Sequence, residues 1–450
     1  MYLKNKTVSV FGFSPRTGLA LVNYLNKFEV DLIIADAKTQ HELESLLAQI
    51  DLNQVKLALN AEYDLVLTSD LIILSPGVPY DLSILKSARS QGIETISEIE
   101  FAYRQNNKAS LIAITGTNGK TTTTELVYKM LHNLPNRKVK LAGNIGIPYI
   151  SIIEDLTEND IVVLELSSFQ LEAVKYFRPE LALYLNYSPD HLDRHHTETN
   201  YKQAKLKIFA NQQEDDIAII DFDDSYLASL DKEITARRLT ISNNAVQNAD
   251  LILQDQQALY PDNQVLLDYT QIKLPGLHNQ KNLAFAALAA YLMGQSRIVI
   301  QQVAANYKLQ AHRMEQIANP KDYLIIDDSK ATNPAAAIKA LTSLPDQLVL
   351  IAGGQDRQAD FTQFVEVVCQ KAKAVFLIGE TAAKLAKLLK DRQVECSIYT
   401  EMEAAVKAAL KQVDSASPLL LSPACPSWDS YPSYKARGLD FKNNVLKYLS

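Results

Sequence analysis

The sequence predicts an α/β protein built of doubly wound, mainly parallel sheets in three successive blocks. Three observations carry this. Apolar, β-rich runs repeatedly end in glycine and lead into a helical pattern: TVSVF before Gly12, LIILSP before Gly77, LIAIT before Gly116, VKLA before Gly143, LVLIA before Gly353 and AVFLI before Gly379. There are only 14 glycines in 450 residues, about half the usual share, so those present mark places where the backbone needs them. Between Arg238 and Leu274 the pattern changes to short strands separated by turns, which predicts a small extra sheet in the middle block.

In the first block Thr7–Phe13 reads as a buried strand, Thr17–Lys27 as a helix, Leu32–Ala35 as a strand ending at Asp36, and Leu71–Leu74 as another ending at Ser75-Pro76-Gly77. Arg104–Lys108 reads as a linker. The second block opens with strand Leu111–Thr115, the loop Gly116–Gly119 and a helix from Lys120 with a stripe of Leu126, Val127, Met130 and Leu131. Strands Ile161–Leu166, Leu181–Leu185 and Ile217–Asp221 follow, and helix Gln280–Met293 closes the block. The third block alternates strand Tyr323–Ile326, helix Pro334–Thr342, strand Leu348–Ala352, helix Phe361–Lys371, strand Val375–Ile378 and helix Thr381–Lys390. The expected domains are 1–106, 107–310 and 311–450, the first and third Rossmann-like and the second a P-loop ATPase domain.

Composition excludes several classes. With 45 Lys and Arg against 52 Asp and Glu, the net charge is −7, which argues against a nucleic-acid binder with a basic surface. A hydrophobic fraction of 47% excludes general disorder. No apolar run is long enough for a transmembrane helix, and MYLKNKTVSVFGF lacks the features of a secretory signal. Cys369, Cys396 and Cys425 show neither a disulfide framework nor a C-x-x-C pair, so a reducing cytoplasm is expected.

The strongest chemical signal is Thr115-Gly116-Thr117-Asn118-Gly119-Lys120-Thr121-Thr122, between a strand and a helix. Backbone N–H groups there can cradle phosphate oxygens, Lys120 can reach the β- and γ-phosphates, and the Thr121 hydroxyl can ligate Mg²⁺. Ile114 stands where the generic P-loop has its first glycine, so the loop is a compact variant. Glu165 ends an apolar strand run, where an acid is costly unless it is paired or binds metal. In Asn186-Tyr187-Ser188-Pro189-Asp190-His191-Leu192-Asp193-Arg194-His195-His196, His191 can ligate a metal or contact an anion. The absence of H-E-x-x-H or a nearby thiol argues against zinc. His195 and His196 read as surface residues, and Lys205, in the polar helical stretch YKQAKLK, as a solvated lysine. His312-Arg313 and Asp328–Asn333 lie at a junction and a strand end, and capping of the helix begun by Pro334 is one reading of Asp328-Ser329.

These motifs, with Asn144-Ile145-Gly146 and Gly276-Leu277-His278-Asn279 plus Asn282, occur in the order found in the Mur ligases, and the sequence resembles that family nearly end to end. Asp328–Asn333, Gly353–Phe361 and Leu421–Ala424 with Ser427 resemble the third-domain motifs of the members that add D-glutamate. The Asn-Pro-Arg motif of the diaminopimelate-adding members is absent. The resemblance implies an ATP-dependent, peptide-bond-forming ligase of peptidoglycan precursor synthesis in the cytoplasm, acting as a monomer. ATP and Mg²⁺, two ions, are the implied cofactors. UDP-N-acetylmuramoyl-L-alanine and D-glutamate are the implied partners, with no nucleic acid and no membrane.

Residue by residue, the resemblance implies that Gly116, Thr117, Asn118, Gly119, Lys120, Thr121 and Thr122 bind ATP phosphates. Asn282, Arg313 and Asp328 hold adenine, phosphate and ribose. Thr121 and Glu165 hold a first Mg²⁺, and His191 with an N-carbamoylated Lys205 a second. Arg16, Thr17, Asp36, Gly77, Asn144 and His191 meet the UDP substrate. Lys330, Thr332, Arg357, Ser427 and Tyr434 fix D-glutamate. Lys120, Glu165, His191 and Lys205 form the catalytic set.

The first loop, Gly12-Phe13-Ser14-Pro15-Arg16-Thr17-Gly18, is not G-x-G-x-x-G. That breaks the fingerprint an NAD(P)-dependent oxidoreductase needs. A Mur-type ligase with a different acceptor amino acid, and a P-loop switch without ligase activity, are also compatible with the motifs.

Overall fold

A computed structural model describes residues 3–449 apart from 54, 107, 244–248, 261–263, 275, 309–310, 322 and 393. The expected third-block strand begins next to one of these excepted positions.

The first block runs β1 (Lys6–Phe11), α1 (Thr17–Leu25), β2 (Val30–Ala35), α2 (Gln40–Leu47), β3 (Val55–Ala58), β4 (Leu71–Leu74), α3 (Ser83–Ser90), β5 (Glu94–Ser97) and α4 (Glu98–Gln105). Its strands pair in parallel in the order β3-β2-β1-β4-β5. The order reverses at β1 and β4, so the crevice where such sheets take ligands lies past Phe11 and Leu74. Arg104, expected in a linker, is in the last turn of α4 and pairs with Glu94 and Glu100. The helix persists because those two carboxylates hold the guanidinium.

The middle block runs β6 (Ser110–Thr115), α5 (Lys120–Leu131), β7 (Val139–Gly143), β8 (Ile161–Glu165), α6 (Ser168–Leu171), β9 (Leu181–Tyr184), α7 (Leu192–His195), α8 (Glu198–Leu206), β10 (Ile217–Asp221), α9 (Ser225–Ala228), β11 (Arg237–Ser242), β12 (Leu251–Gln254), β13 (Gln257–Tyr260), β14 (Gln264–Asp268), α10 (Leu277–Leu292) and α11 (Arg297–Asn306). Among the described residues nine strands form one sheet, β14-β13-β12-β11-β10-β9-β6-β8-β7. The expected extra strands β12–β14 are antiparallel to one another and extend this sheet at its edge rather than standing apart. One apolar cluster, from Leu3 through Phe101 and Tyr149 to Ala236, runs through the cores of both blocks.

The third block contains β15 (Glu315–Gln316), β16 (Ile325–Asp327), α12 (Pro334–Thr342), β17 (Leu348–Ala352), α13 (Thr362–Lys371), β18 (Ala372–Leu377), α14 (Ala382–Lys390), β19 (Cys396–Ile398), α15 (Met402–Ala409), β20 (Leu419–Leu421) and α16 (Tyr434–Leu449). Its sheet order is β15-β16-β20-β17-β18-β19, parallel except for β15. β16 ends at Asp327, which brings Asp327 and Asp328 to the carboxyl edge of the sheet. Asn333, not Asp328 or Ser329, caps α12, accepting from the Ala336 N–H.

The chain divides into two compact units. One comprises the chain up to Tyr187 with Thr199–Gln271 and Lys281–Ala305. The other comprises Ser188–Glu198, Ile272–Gln280 and everything from Asn306. Among the described residues no helix is long and apolar enough to cross a membrane.

Candidate active site

In the first unit, strands β6 and β8 are neighbours, with Ile114 paired to Glu165. Their carboxyl ends therefore place the Gly116–Gly119 loop beside the Glu165 carboxylate. Gly119 has φ +84°, and a Cβ there would sit 2.3 Å from Asn282 Oδ1, so glycine is required for Asn282 to pack on the loop. Thr123 Oγ1 also approaches Asn282 Oδ1, at 3.5 Å. Asn186 clamps the loop from the end of β9. Its carbonyl accepts the Thr117 N–H at 3.0 Å, its Oδ1 accepts the Asn118 N–H at 2.9 Å, and its Nδ2 donates to Asn118 O at 3.0 Å. Thr121 and Thr122 are buried in the first turn of α5, where the helix dipole favours anions.

Lys120 Nζ folds back to donate to Gly116 O at 2.8 Å and Thr117 O at 2.9 Å. Lys205 Nζ donates to the same Gly116 carbonyl at 2.8 Å and lies 4.8 Å from the Tyr201 ring centroid. The expectation of a solvated Lys205 is overturned: the residue is 1% exposed. Its polar helix gives no hint of this, because the acceptor is 89 residues away in sequence. His195, expected at the surface, is buried as well, whereas His196 is exposed.

Glu165 is 1% exposed. Its Oε1 accepts from Asn144 Nδ2 at 2.7 Å, and its Oε2 is buried with no hydrogen-bond partner among the described residues. Gly143, at φ +98°, lets the end of β7 approach, since a Cβ there would lie 2.4 Å from Glu165 O. A buried carboxylate oxygen without a donor, at the end of the strand next to the one whose loop leads to Thr121, suits a hard divalent cation.

At the switch point of the first sheet, Asp36 organises the loop after β1. Its Oδ2 accepts the Phe13 N–H at 2.7 Å and its Oδ1 the Lys38 N–H at 2.9 Å. Gly12, at φ +91°, has Val78 Cγ2 2.6 Å from where a Cβ would be. This brings the Ser75–Gly77 turn against the loop. Thr17 starts α1. Arg16 reaches across to the middle block, donating to the carbonyls of Asn144 (2.8 Å), Gly143 (2.6 Å) and Gly146 (3.0 Å). Nearby, burial pushes the Glu98 carboxyl up to about 7, opposed by the Ile150 N–H it accepts and by Arg16.

The second unit gathers the remaining expected residues around the carboxyl ends of β16, β17 and β20. Burial pushes Asp328 up to about 7, opposed by Arg313 and by the Ser422 hydroxyl. His312 Nδ1 meets Asp327 Oδ2 at 2.6 Å. Gly438 leaves room for that pair, since a Cβ there would lie 2.2 Å from His312 Nδ1. Lys330 Nζ lies 5.1 Å from the Tyr434 ring centroid, and Thr332 N–H donates to Lys330 O at 2.9 Å. His191 Nδ1 is 3.1 Å from Arg357 Nη1. The neighbouring Asp190 accepts from Asn333 Nδ2 at 2.8 Å.

Sequence reasoning missed Arg437. It is buried in α16 and holds two loops: Nε and Nη2 donate to Ser329 Oγ (3.0 Å) and Ser329 O (2.8 Å), and Nη1 and Nη2 to Pro426 O (3.1 Å) and Cys425 O (3.0 Å). Burial lowers its guanidinium to about 10. Those loops carry Lys330 and Ser427. Asn186 belongs with it, because the sequence shows it only as the start of the stretch that holds His191 and gives no sign of its clamp on the Gly116–Gly119 loop.

Comparison with known proteins identifies the family. The MurD-like N-terminal domain of Mur ligases matches residues 6–97, the Mur ligase middle domain residues 114–290, and the glutamate ligase domain of Mur ligases residues 312–425. The chain is 36% identical over 449 residues to the UDP-N-acetylmuramoylalanine–D-glutamate ligase of Clostridioides difficile (strain 630), covering 99% of each. It is 38% identical over 454 residues to the protein of the same name from Thermoanaerobacter sp. (strain X514), again covering 99% of each. A crystal structure of the MurF ligase of Thermotoga maritima in complex with ADP shares the fold, with a TM-score of 0.61 at 18% identity over 99% of this chain and 96% of that one. The chain therefore belongs to the Mur ligase family.

Proposed function

We propose that the protein joins D-glutamate to UDP-N-acetylmuramoyl-L-alanine at the expense of ATP, a cytoplasmic step of peptidoglycan precursor synthesis. The observation that carries this reading in the geometry is the Glu165 carboxylate, half satisfied and buried, at the strand end beside the Gly116–Thr122 loop. The relatives named for this reaction, matched over their whole length, supply the substrates.

A carboxylate resists attack by an amine because its charge repels the nucleophile and it lacks a leaving group. Transfer of the γ-phosphate to the alanyl carboxylate removes both obstacles and gives an acyl phosphate and ADP. The D-glutamate amine then attacks the acyl carbon, and phosphate leaves. Mg²⁺, when bound, would supply positive charge that offsets the repulsion between the phosphates and the alanyl carboxylate. Lys120 swings from its loop carbonyls to the phosphates, and Gly116–Thr122 hold them at the start of α5. Thr121 and Glu165 hold the first ion. Lys205 and His191 are assigned to a second, Lys205 as its carbamate. Two ammonium groups on the one Gly116 carbonyl repel each other, and turning one into an anion relieves that repulsion. Asn282, Arg313 and Asp328 take the nucleoside and phosphates. Arg16, Thr17, Asp36, Gly77 and Asn144 face the UDP substrate, Asp36 and Arg16 chiefly by shaping the loop. Lys330, Thr332, Arg357, Ser427 and Tyr434 take D-glutamate.

Residues 1–106 thus serve the UDP substrate, 107–310 ATP and 311–450 the amino acid. One chain carries every assigned group, so a monomer suffices. None of the three cysteines is in a disulfide, as the cytoplasm requires.

The test is phosphate release with each pairing of UDP-muramoyl precursor and amino acid. Release should be confined to UDP-N-acetylmuramoyl-L-alanine with D-glutamate, and turnover with L-lysine or L-alanine instead would reassign the acceptor. In the same assay Lys205→Ala should be nearly inactive and partly restored by short-chain carboxylic acids. Full activity without them removes the carbamate.

A further inference from the structure

Trp428 is the only tryptophan of the chain and is 64% exposed, an unusual place for so large an apolar ring. It is not a loose surface residue. Ser427 before it is buried, and its carbonyl accepts the N–H groups of Ser430 (3.2 Å) and Tyr431 (2.7 Å). Asp429 after it accepts the Glu380 N–H at 3.1 Å, against Gly379, where a Cβ would lie 2.3 Å from the carboxylate. The loop after β17 is pinned to the same segment, since Gln355 N–H donates to Pro426 O at 3.0 Å. Both backbones are thus set, and across them the Arg357 guanidinium carbon lies 4.7 Å from the Trp428 ring centroid.

A guanidinium stacked on an aromatic face uses its π surface and keeps its in-plane N–H donors for other partners. Here Nη1 meets His191 Nδ1. The edge formed by Nε and Nη2 has the fork geometry that fits a carboxylate.

We propose that Trp428 is a positioning residue: its indole face holds Arg357 so that the open edge of the guanidinium reads a carboxylate of the incoming amino acid. This rests on the D-glutamate reading above. It adds a residue that sets the affinity for the amino acid without touching the reacting atoms.

Trp428→Ala in the full chain should raise KM for D-glutamate about two- to five-fold, the range of an exposed cation–π contact. KM for ATP, KM for the UDP substrate and kcat should stay unchanged, and Trp428→Phe should recover part of the loss. In an Arg357→Ala background, the same Trp428→Ala change should add nothing. The wild-type indole is also its own reporter. With UDP-N-acetylmuramoyl-L-alanine and a non-hydrolysable ATP analogue present, titration with D-glutamate should give a saturable change in tryptophan fluorescence. An unchanged KM for D-glutamate, a parallel rise in all three KM values, or full additivity with Arg357→Ala overturns the proposal. If wild type releases no phosphate with D-glutamate, it is the functional reading that fails. If wild type turns over and Trp428→Ala is indifferent, only this one does.

Discussion

Glu100 and Glu165 are both glutamates without solvent contact, one where the first and middle blocks meet and one at the end of the central sheet. Glu100 has every need met. Its carboxylate accepts the N–H groups of Lys175 (2.9 Å), Tyr176 (3.0 Å) and Phe177 (2.9 Å), and Arg104 Nε at 2.6 Å. Among the described residues Glu165 has a single donor, Asn144, and one bare oxygen. Burying a carboxylate is costly unless donors replace water. A fully supplied one therefore acts as a structural joint, while a half-supplied one is held for something that arrives later. Glu98, on the same helix as Glu100, lies between them: Ile150 donates to it at 2.7 Å, and burial still pushes it up to about 7.

The largest effect should come from Glu100→Ala. It leaves three buried backbone donors without an acceptor and takes from Arg104 one of its two carboxylates, Glu94 remaining, and losing one side of a buried pair costs about 3–5 kcal/mol. The thermal midpoint should fall clearly, while phosphate release per folded molecule at low temperature stays near wild type. If the midpoint holds and specific activity collapses, Glu100 belongs to the chemistry and the contrast is void.

Glu165→Gln should do the reverse. The amide keeps the shape and removes the charge that a cation needs, so phosphate release should drop about a hundred- to a thousand-fold, the scale of losing one preorganised electrostatic contact. The midpoint should stay level or rise, because a buried charge lacking a donor has been taken away. A large fall in the midpoint with normal turnover would make Glu165 a second structural joint.

The same contrast explains what was legible in the sequence. Strand ends, the Gly116–Thr122 loop and Glu165 were readable because each is a local signal: an apolar run, a glycine, a charged residue after it. Partners far apart in sequence were not. Lys205 sits in a polar helix and looks solvated until Gly116 O is placed over it. Arg104 looks like a linker residue until Glu94 and Glu100 are folded around it. Arg437 and Asn186 matter only through loops that tertiary structure brings to them. The edge strands β12–β14 were readable as strands, but whether they stood alone or joined the main sheet depended on the pairing of β11 with β12.

Glu98 supplies the smallest and most discriminating change. Its carboxyl titrates near 4.5 when exposed and at about 7 when folded, mainly because of burial. Below the lower value both states are protonated and nothing is lost. Between the two, the unfolded chain releases its proton while the folded chain keeps it, so the folded state binds more protons and stability falls as pH rises. The loss is complete above pH 7 and amounts to about 3 kcal/mol at most. Glu98→Gln keeps an acceptor for Ile150 N–H and abolishes the titration. Its thermal midpoint should match wild type near pH 4.5 and exceed it at pH 8, the opposite of Glu100→Ala on the same helix. A variant that is less stable than wild type at pH 8 would mean that the Glu98 charge is held by donors, as that of Glu100 is, and the graded series of buried glutamates would reduce to two kinds.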